Sequence, residues 1–302
     1  MQPLVSVRIA TYNHEGFVAQ CLESVLMQKT DFPFEIIIGE DCSTDRTKEI
    51  VSAYQKEYPD KIKAIFSPRN LGVSYNSRQI QLACRGKYHA ICEGDDYWID
   101  PMKLQKQVDI LEANPALSLS FHNAFILNKK SFATRLLFEN EMKPTLNFAE
   151  ACRISPPTAS VMARSEILET LPPWRTEISC GDVLLRLWCA HHGDLAYLDE
   201  VMSVYRIHKG GITSRRRPMV KERYTELFFI YRQFDQETHL IHAETINDLC
   251  RQARRRMRIE RFGVPYLLFS YLLFSPKEFM VHAKKNIVRS RRQMRLFRTD
   301  YL

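Results

Sequence analysis

The densest chemistry in this chain lies at Glu93-Gly94-Asp95-Asp96-Tyr97-Trp98. Two adjacent carboxylates repel, and one is driven toward its neutral form unless a cation neutralises the pair. A hard divalent ion such as Mg²⁺ or Mn²⁺ prefers oxygen ligands and would do so. The six residues follow the apolar run Tyr88-His89-Ala90-Ile91-Cys92, which reads as a buried strand. Open α/β sheets bind ligands beyond the carboxyl ends of their strands, so the place suits a metal and a phosphorylated ligand. A polar turn with Asp96 near the start of the next helix fits the same residues.

Two earlier turns add to this one. In Ala10-Thr11-Tyr12-Asn13-His14-Glu15, Tyr12 can stack on a base and Thr11 can donate a hydrogen bond, although an ordinary βα loop would look the same. The turn lacks the glycines of a dinucleotide fingerprint or a P-loop, which disfavours a Rossmann dehydrogenase and a P-loop kinase. In Glu40-Asp41-Cys42-Ser43-Thr44-Asp45, a carboxylate can accept the imide N–H of a uracil ring. Ser43 to Asp45 can also simply cap a helix.

The elements that must position these turns alternate. Strands are expected over 5–10, 34–39, 62–67 and 88–92, with helices over 17–27, 46–58 and 74–84 between them. Such alternation implies a parallel sheet with helices on both faces. Pro101 opens a helix to about 113, and 117–127 reads as a strand. After a less regular stretch, 161–171 and 183–190 look helical, and 196–205 looks like strand and turn.

The 302 residues suit one large domain, or a domain with an appendage. At 45% hydrophobic and 26% charged the composition is globular. Eight cysteines without a Cys-x-x-Cys pair read as reduced thiols of a cytosolic protein, not as a disulfide framework or a zinc site. No signal peptide is expected at the N-terminus.

The net charge of +8 belongs to the tail, where 21 Lys/Arg face 9 Asp/Glu from Lys209 onward. Residues from Pro218 to about 262 read as helical, with a stripe that includes Tyr224, Phe228, Tyr231 and Phe234. Residues 264–275 carry no charge, and a basic amphipathic stretch follows. The tail suits a membrane surface, with a helical hairpin packed on the main domain or a dimer interface as the alternatives. No recognised nucleic-acid motif accompanies the charge.

Taken in order, these turns resemble the family 2 glycosyltransferases of the GT-A fold. The resemblance rests on Val5-Ser6-Val7 with Ala10-Thr11-Tyr12-Asn13, on residues 35–45, on Asn70-Leu71-Gly72 with Arg78, and on Glu93 to Trp98. Cys180-Gly181-Asp182 and the run Met202 to Gly211 extend it toward bacterial members that build surface polysaccharides. The resemblance implies an α/β, GT-A (Rossmann-like), mostly parallel sheet over residues 1–212 and a helical, basic extension over 213–302.

It also implies roles. Tyr12 would stack on the nucleobase and Asp41 would hold it, with Thr11, Asn13 and Glu15 in the same nucleotide-binding turn. Arg78 would approach the diphosphate or the sugar, and Asp95 the ribose or the sugar. Asp96 would ligate Mn²⁺ or Mg²⁺, with His208 as a second ligand or else a solvated loop histidine. Asp182 would be the general base, unless it is only a helix N-cap. Trp98 would floor the acceptor site, or else pack.

Two residues depart from the family pattern. Glu40 replaces one of the usual acids before the Ser-Thr-Asp segment, and Gly181 stands where an acid more often precedes the base. The implied activity is inverting transfer from a nucleotide-diphosphate sugar, a UDP-sugar, to a hydroxyl of a glycan or polyprenyl-linked acceptor. Its place would be the cytoplasm, at the membrane face if the tail binds lipid, and a homo-oligomer is left open. The alternatives are a non-catalytic, membrane-associated assembly factor and a sugar-nucleotide pyrophosphorylase, which would need a Gly-rich, Arg-containing loop after the first strand.

Overall fold

Val5, Val7 and Ile9 alternate with Ser6 and Arg8, yet all five are buried. A strand covered on both faces belongs inside a helix-clad parallel sheet, and β1 (Val5–Thr11) occupies that position. It pairs in parallel with β2 (Phe34–Glu40) on one side and β4 (Tyr88–Ile91) on the other. Beyond β2 lies β3 (Ile62–Phe66), also parallel. The crossovers are α1 (Val18–Leu26), α2 (Thr47–Glu57) and α3 (Val73–Ala83). Val18, Cys21, Leu22 and Val25 of α1 share a core with Val5, Val7, Ile9, Ile36 and Ile38.

These positions come from a computed structural model, which describes residues 2–128, 133–212, 214 and 220–257. The uncharged run 264–275 and the basic stretch after it lie outside the described residues, as does Pro218.

The second half continues through β5 (Tyr97–Trp98), α4 (Lys103–Ala113), β6 (Leu117–Asn128), β7 (Ala133–Leu136), β8 (Thr145–Leu146) and α5 (Phe148–Ala151). Then come β9 (Met162–Arg164), α6 (Ser165–Glu169), α7 (Gly181–His192) and β10 (Asp194–Ile207). The sheet order is β3-β2-β1-β4-β9-β6-β10-β5, with β7 on β6 and β8 on β10. β10 runs parallel to β6, with register shifts between Leu198 and Ser203.

One expectation needs correction. Residues 161–171 are not a single helix. Met162 and Ala163 form an antiparallel strand wedged between β4 and β6, and only then does the short α6 begin. The buried Arg164 donates to the carbonyls of Leu117 at 2.7 Å and Leu111 at 2.5 Å. A short apolar run shows no decisive period, so the open sheet position decides.

Helix α8 (Val220–Glu237) is not a free tail. Its Leu227, Ile230, Tyr231 and Phe234 enter the same core as Val183, Leu184 and Leu187 of α7, and Ile246 and Cys250 of the helical stretch 243–257 join them. Among the described residues no helix is long and apolar enough to cross a membrane.

Candidate active site at the carboxyl edge of the sheet

β1, β2 and β4 end side by side, and the turns beyond them converge. Thr11 closes β1, and its Oγ1 lies 3.2 Å from Nδ1 of His14. The other nitrogen, Nε2, is 3.8 Å from Asp95 Oδ2. That same oxygen is 2.9 Å from Nε2 of His208, just past the end of β10. His14, Asp95 and His208 each offer one ligand atom, all within 4.8 Å of one another. Phe17 backs the His208 ring at 4.6 Å between centroids. Gly94 permits this packing, because a Cβ there would sit 2.7 Å from Thr11 Oγ1 and 2.9 Å from His14 Nδ1.

Charge is tuned around this cluster. Burial pushes the Asp95 carboxyl up, but the His208 hydrogen bond and the two imidazoles outweigh it and leave its pKa lowered. Burial, then the Asp95 charge, push Asp96 well up. Glu93 is pushed to about 7 by burial and then by Asp95, with a further contribution from Asp182 and opposition from Arg8.

The two carboxylates of the acidic turn lie in different surroundings. Asp95, not Asp96, stands with His208. Asp96 is 1% exposed, and its Oδ1 accepts the Arg206 N–H of β10 at 2.8 Å. Its Oδ2 is buried without a hydrogen-bond partner among the described residues. Cys92, Gly94, Asp96 and Trp98 are buried while Glu93, Asp95 and Tyr97 are only partly so, and the chain turns between them, the Asp96 N–H donating to the Glu93 carbonyl at 2.9 Å.

Trp98 also needs correction. It is 1% exposed, its indole N–H donates to the Ala159 carbonyl at 2.8 Å, and Lys103 Nζ lies 4.1 Å from its ring centre. It packs in the core and offers no floor to an acceptor. Lys103 itself is fully buried, its pKa pushed down to about 7 by burial, and it donates to Gln107 at 2.6 Å.

Several expected nucleotide contacts spend their side chains on neighbouring turns. Asn13, at φ 56°, accepts from the Thr44 N–H at 2.8 Å, and Glu15 accepts from the Arg46 N–H at 3.0 Å. Asp45 accepts from the Thr47 N–H at 3.0 Å and so caps α2. Asp41 is buried and accepts from the N–H groups of Leu71 at 2.7 Å and Gly72 at 2.9 Å. It therefore binds the Asn70-Leu71-Gly72 turn to β2. Tyr12 is half-buried in the first turn.

Arg78 is exposed on α3. Arg175, which the sequence reading missed, has its pKa lowered by burial and then by the charges of Arg8 and Arg78, so three guanidinium groups gather here. Arg206 was missed too. It donates to the Asp95 carbonyl at 2.6 Å and to Gln20, and lies 4.2 Å over Tyr97. Asp182 is exposed in the first turn of α7, whose N-cap is Cys180, so its side chain is not the cap. Its charge reaches Glu93.

An uncharacterized protein of Mycobacterium tuberculosis is 33% identical over 231 residues, which cover 70% of this chain and 63% of that protein. The chain thus spans less than two thirds of that relative's length. The putative teichuronic acid biosynthesis glycosyltransferase TuaG of Bacillus subtilis is 26% identical over 243 residues, covering 78% of this chain and 90% of TuaG. The crystal structure of S. aureus TarS 1-349 in complex with UDP-GlcNAc superposes with a TM-score of 0.64 at 18% identity, over 91% of this chain and 77% of that one, and so shares the fold. Residues 6–164, which hold all the turns but those of His208 and Asp182, match the profile of Glycosyl transferase family 2, and the chain belongs to that family.

Proposed function

We propose that the chain transfers a sugar from a nucleotide-diphosphate donor, a UDP-sugar, to a hydroxyl of a glycan or polyprenyl-linked acceptor in cell-surface polysaccharide synthesis. The observation that carries this is the cluster of His14, Asp95 and His208 within 4.8 Å, at the carboxyl edge of the sheet. Two imidazoles and a carboxylate suit a divalent transition ion, and favour Mn²⁺ over the oxygen-seeking Mg²⁺. Asp95, His208 and His14 would hold it. When bound, such an ion neutralises charge growing on the departing diphosphate.

The other roles are those the family resemblance implies. Arg78, with Arg175 near it, would meet the same developing charge. Tyr12 would stack on the nucleobase, and Asp41 would have to share an oxygen already taken by the Leu71 or Gly72 amide. Asp182 removes the proton of the acceptor hydroxyl as that oxygen attacks the anomeric carbon and the bond to the diphosphate breaks. The displacement is single and inverts the centre. The UDP-GlcNAc complex of TarS and the name of TuaG support the donor class and the setting.

The test is UDP release from UDP-glucose, UDP-galactose, UDP-GlcNAc and UDP-GalNAc with Mn²⁺ and a polyprenyl-phosphate-linked glycan. The expected result is turnover with one donor, abolished by chelator and reduced at least about 100-fold in Asp182→Asn. A chain that neither binds UDP with Mn²⁺ nor turns over any donor would instead be a non-catalytic assembly factor.

A further inference from the structure

Helix α7 begins at Gly181 and carries Asp182 in its first turn, but its N-cap Cys180 supplies no side-chain cap. The residues just before the helix are instead held from 46 residues away. Glu226 of α8 accepts from the Cys180 N–H at 3.0 Å, from Ser179 Oγ at 2.6 and 2.8 Å, and from the Ser179 N–H. Cys180 Sγ lies 3.5 Å from the same carboxylate. On the other side, Ser74 of α3, one turn before Arg78, donates to the Ile178 carbonyl. Residues 178–180 are thus held between α3 and α8. Gly181 follows with open space where a side chain would be, and then comes Asp182.

From this we infer that Glu226 is a positioning residue for the base. It fixes the main chain two residues ahead of Asp182 and makes the helix after the sheet part of the catalytic edge. The inference rests on Asp182 serving as that base. α8 does not need Glu226 for its attachment, since Leu227, Ile230, Tyr231 and Phe234 already bury its apolar face. A half-buried carboxylate is costly unless its oxygens are satisfied, and here its four donors all belong to the two residues preceding α7. Without Glu226 the segment would keep the Ser74 bond to Ile178 and the burial of Ile178 and Cys180, but the Ser179 and Cys180 amides just ahead of Gly181 and Asp182 would lose this acceptor.

The experiment uses the full chain with Mn²⁺ and the UDP-hexose giving the fastest UDP release. Glu226→Gln, Glu226→Asp and Asp182→Asn are compared with the parent chain, well below their melting temperatures. Glu226→Gln is expected to lower kcat 10- to 100-fold with donor KM unchanged, and to speed amide hydrogen exchange at 179–184. Glu226→Asp should recover part of kcat. The acidic limb of the pH–rate profile should move in Glu226→Gln, which a purely structural loss would not cause. If Asp182→Asn is inactive while Glu226→Gln keeps full kcat and only melts earlier, the positioning role is overturned and the base assignment stands. If Asp182→Asn turns over normally, the base assignment falls, and this inference with it.

Discussion

The two ends of the same three strands treat buried charge in opposite ways. At the amino end, Glu35 Oε1 accepts from Ser6 Oγ at 2.7 Å and the Arg85 N–H at 2.8 Å. Its Oε2 accepts from Arg85 Nε at 3.0 Å and Nη2 at 2.7 Å. Ser6 Oγ accepts in turn from the Gly86 N–H at 2.8 Å. At the carboxyl end, Asp96 Oδ2 and Glu40 Oε2 are buried without a partner among the described residues. Each such oxygen costs about 1–3 kcal/mol. One end closes the fold by satisfying its charges. The other keeps buried carboxyl oxygens without a partner among the described residues, and departures from local consistency of this kind mark functional sites.

The sharpest way to break this contrast is Asp95→Ala. Transfer should fall about 1,000-fold or more, and Mn²⁺ binding, read by electron paramagnetic resonance, should be lost. The melting temperature of the metal-free protein should fall only slightly, because the lost His208 contact is offset by removal of the charge that repels Asp96. A large loss of stability would mean that Asp95 belongs to the same structural class as Glu35.

Two glycines give a smaller but cleaner comparison. A Cβ at Gly86 would sit 2.5 Å from Ser6 N and 2.7 Å from the Val5 carbonyl carbon, both main-chain atoms of β1. A Cβ at Gly94 would meet the side chains of Thr11 and His14 instead. Main chain inside a sheet cannot yield, whereas side chains at its edge can. Gly86→Ala should therefore lose about 3 kcal/mol or more in denaturant melts, or fail to fold. Gly94→Ala should fold but lose Mn²⁺ affinity. Equal stability losses in the two variants would erase the distinction between the edges.

Much of this was legible before any coordinates. The chemistry-bearing residues of β1, β2 and β4 fall directly after apolar runs, so the shared edge followed from the alternation of strand and helix. What escaped were facts of long-range pairing. β9 takes its structure from β4 and β6, not from its own period. His14 looked like a loop residue because its partner Asp95 is 81 positions away and His208 further still. Arg206 and Glu226 act through main-chain groups of distant segments, which leave no motif behind. Which of Asp95 and Asp96 is buried is likewise a long-range matter, decided by the turn that closes from the Asp96 N–H to the Glu93 carbonyl and by the Arg206 N–H on Asp96.

The smallest effect concerns pH. Glu93 is pushed to about 7 by burial and by the charge of Asp95, from an ordinary value of 4.5. Between those two values the folded chain holds a proton that the unfolded chain has released. Stability from this group is therefore complete below about pH 4.5 and is lost as pH rises through 7. The loss amounts to roughly 1–3 kcal/mol. Asp96, raised for the same two reasons, adds to the slope in the same direction. Melting temperatures of chelated protein should thus fall from pH 5 to pH 8, with Glu93→Gln reducing the fall and Asp96→Asn reducing it further. Saturating Mn²⁺ should flatten the profile too, since a cation beside Asp95 cancels the repulsion. If neither variant nor metal alters the slope, the carboxyl edge stores no more charge strain than the sealed amino edge, and the contrast between them fails.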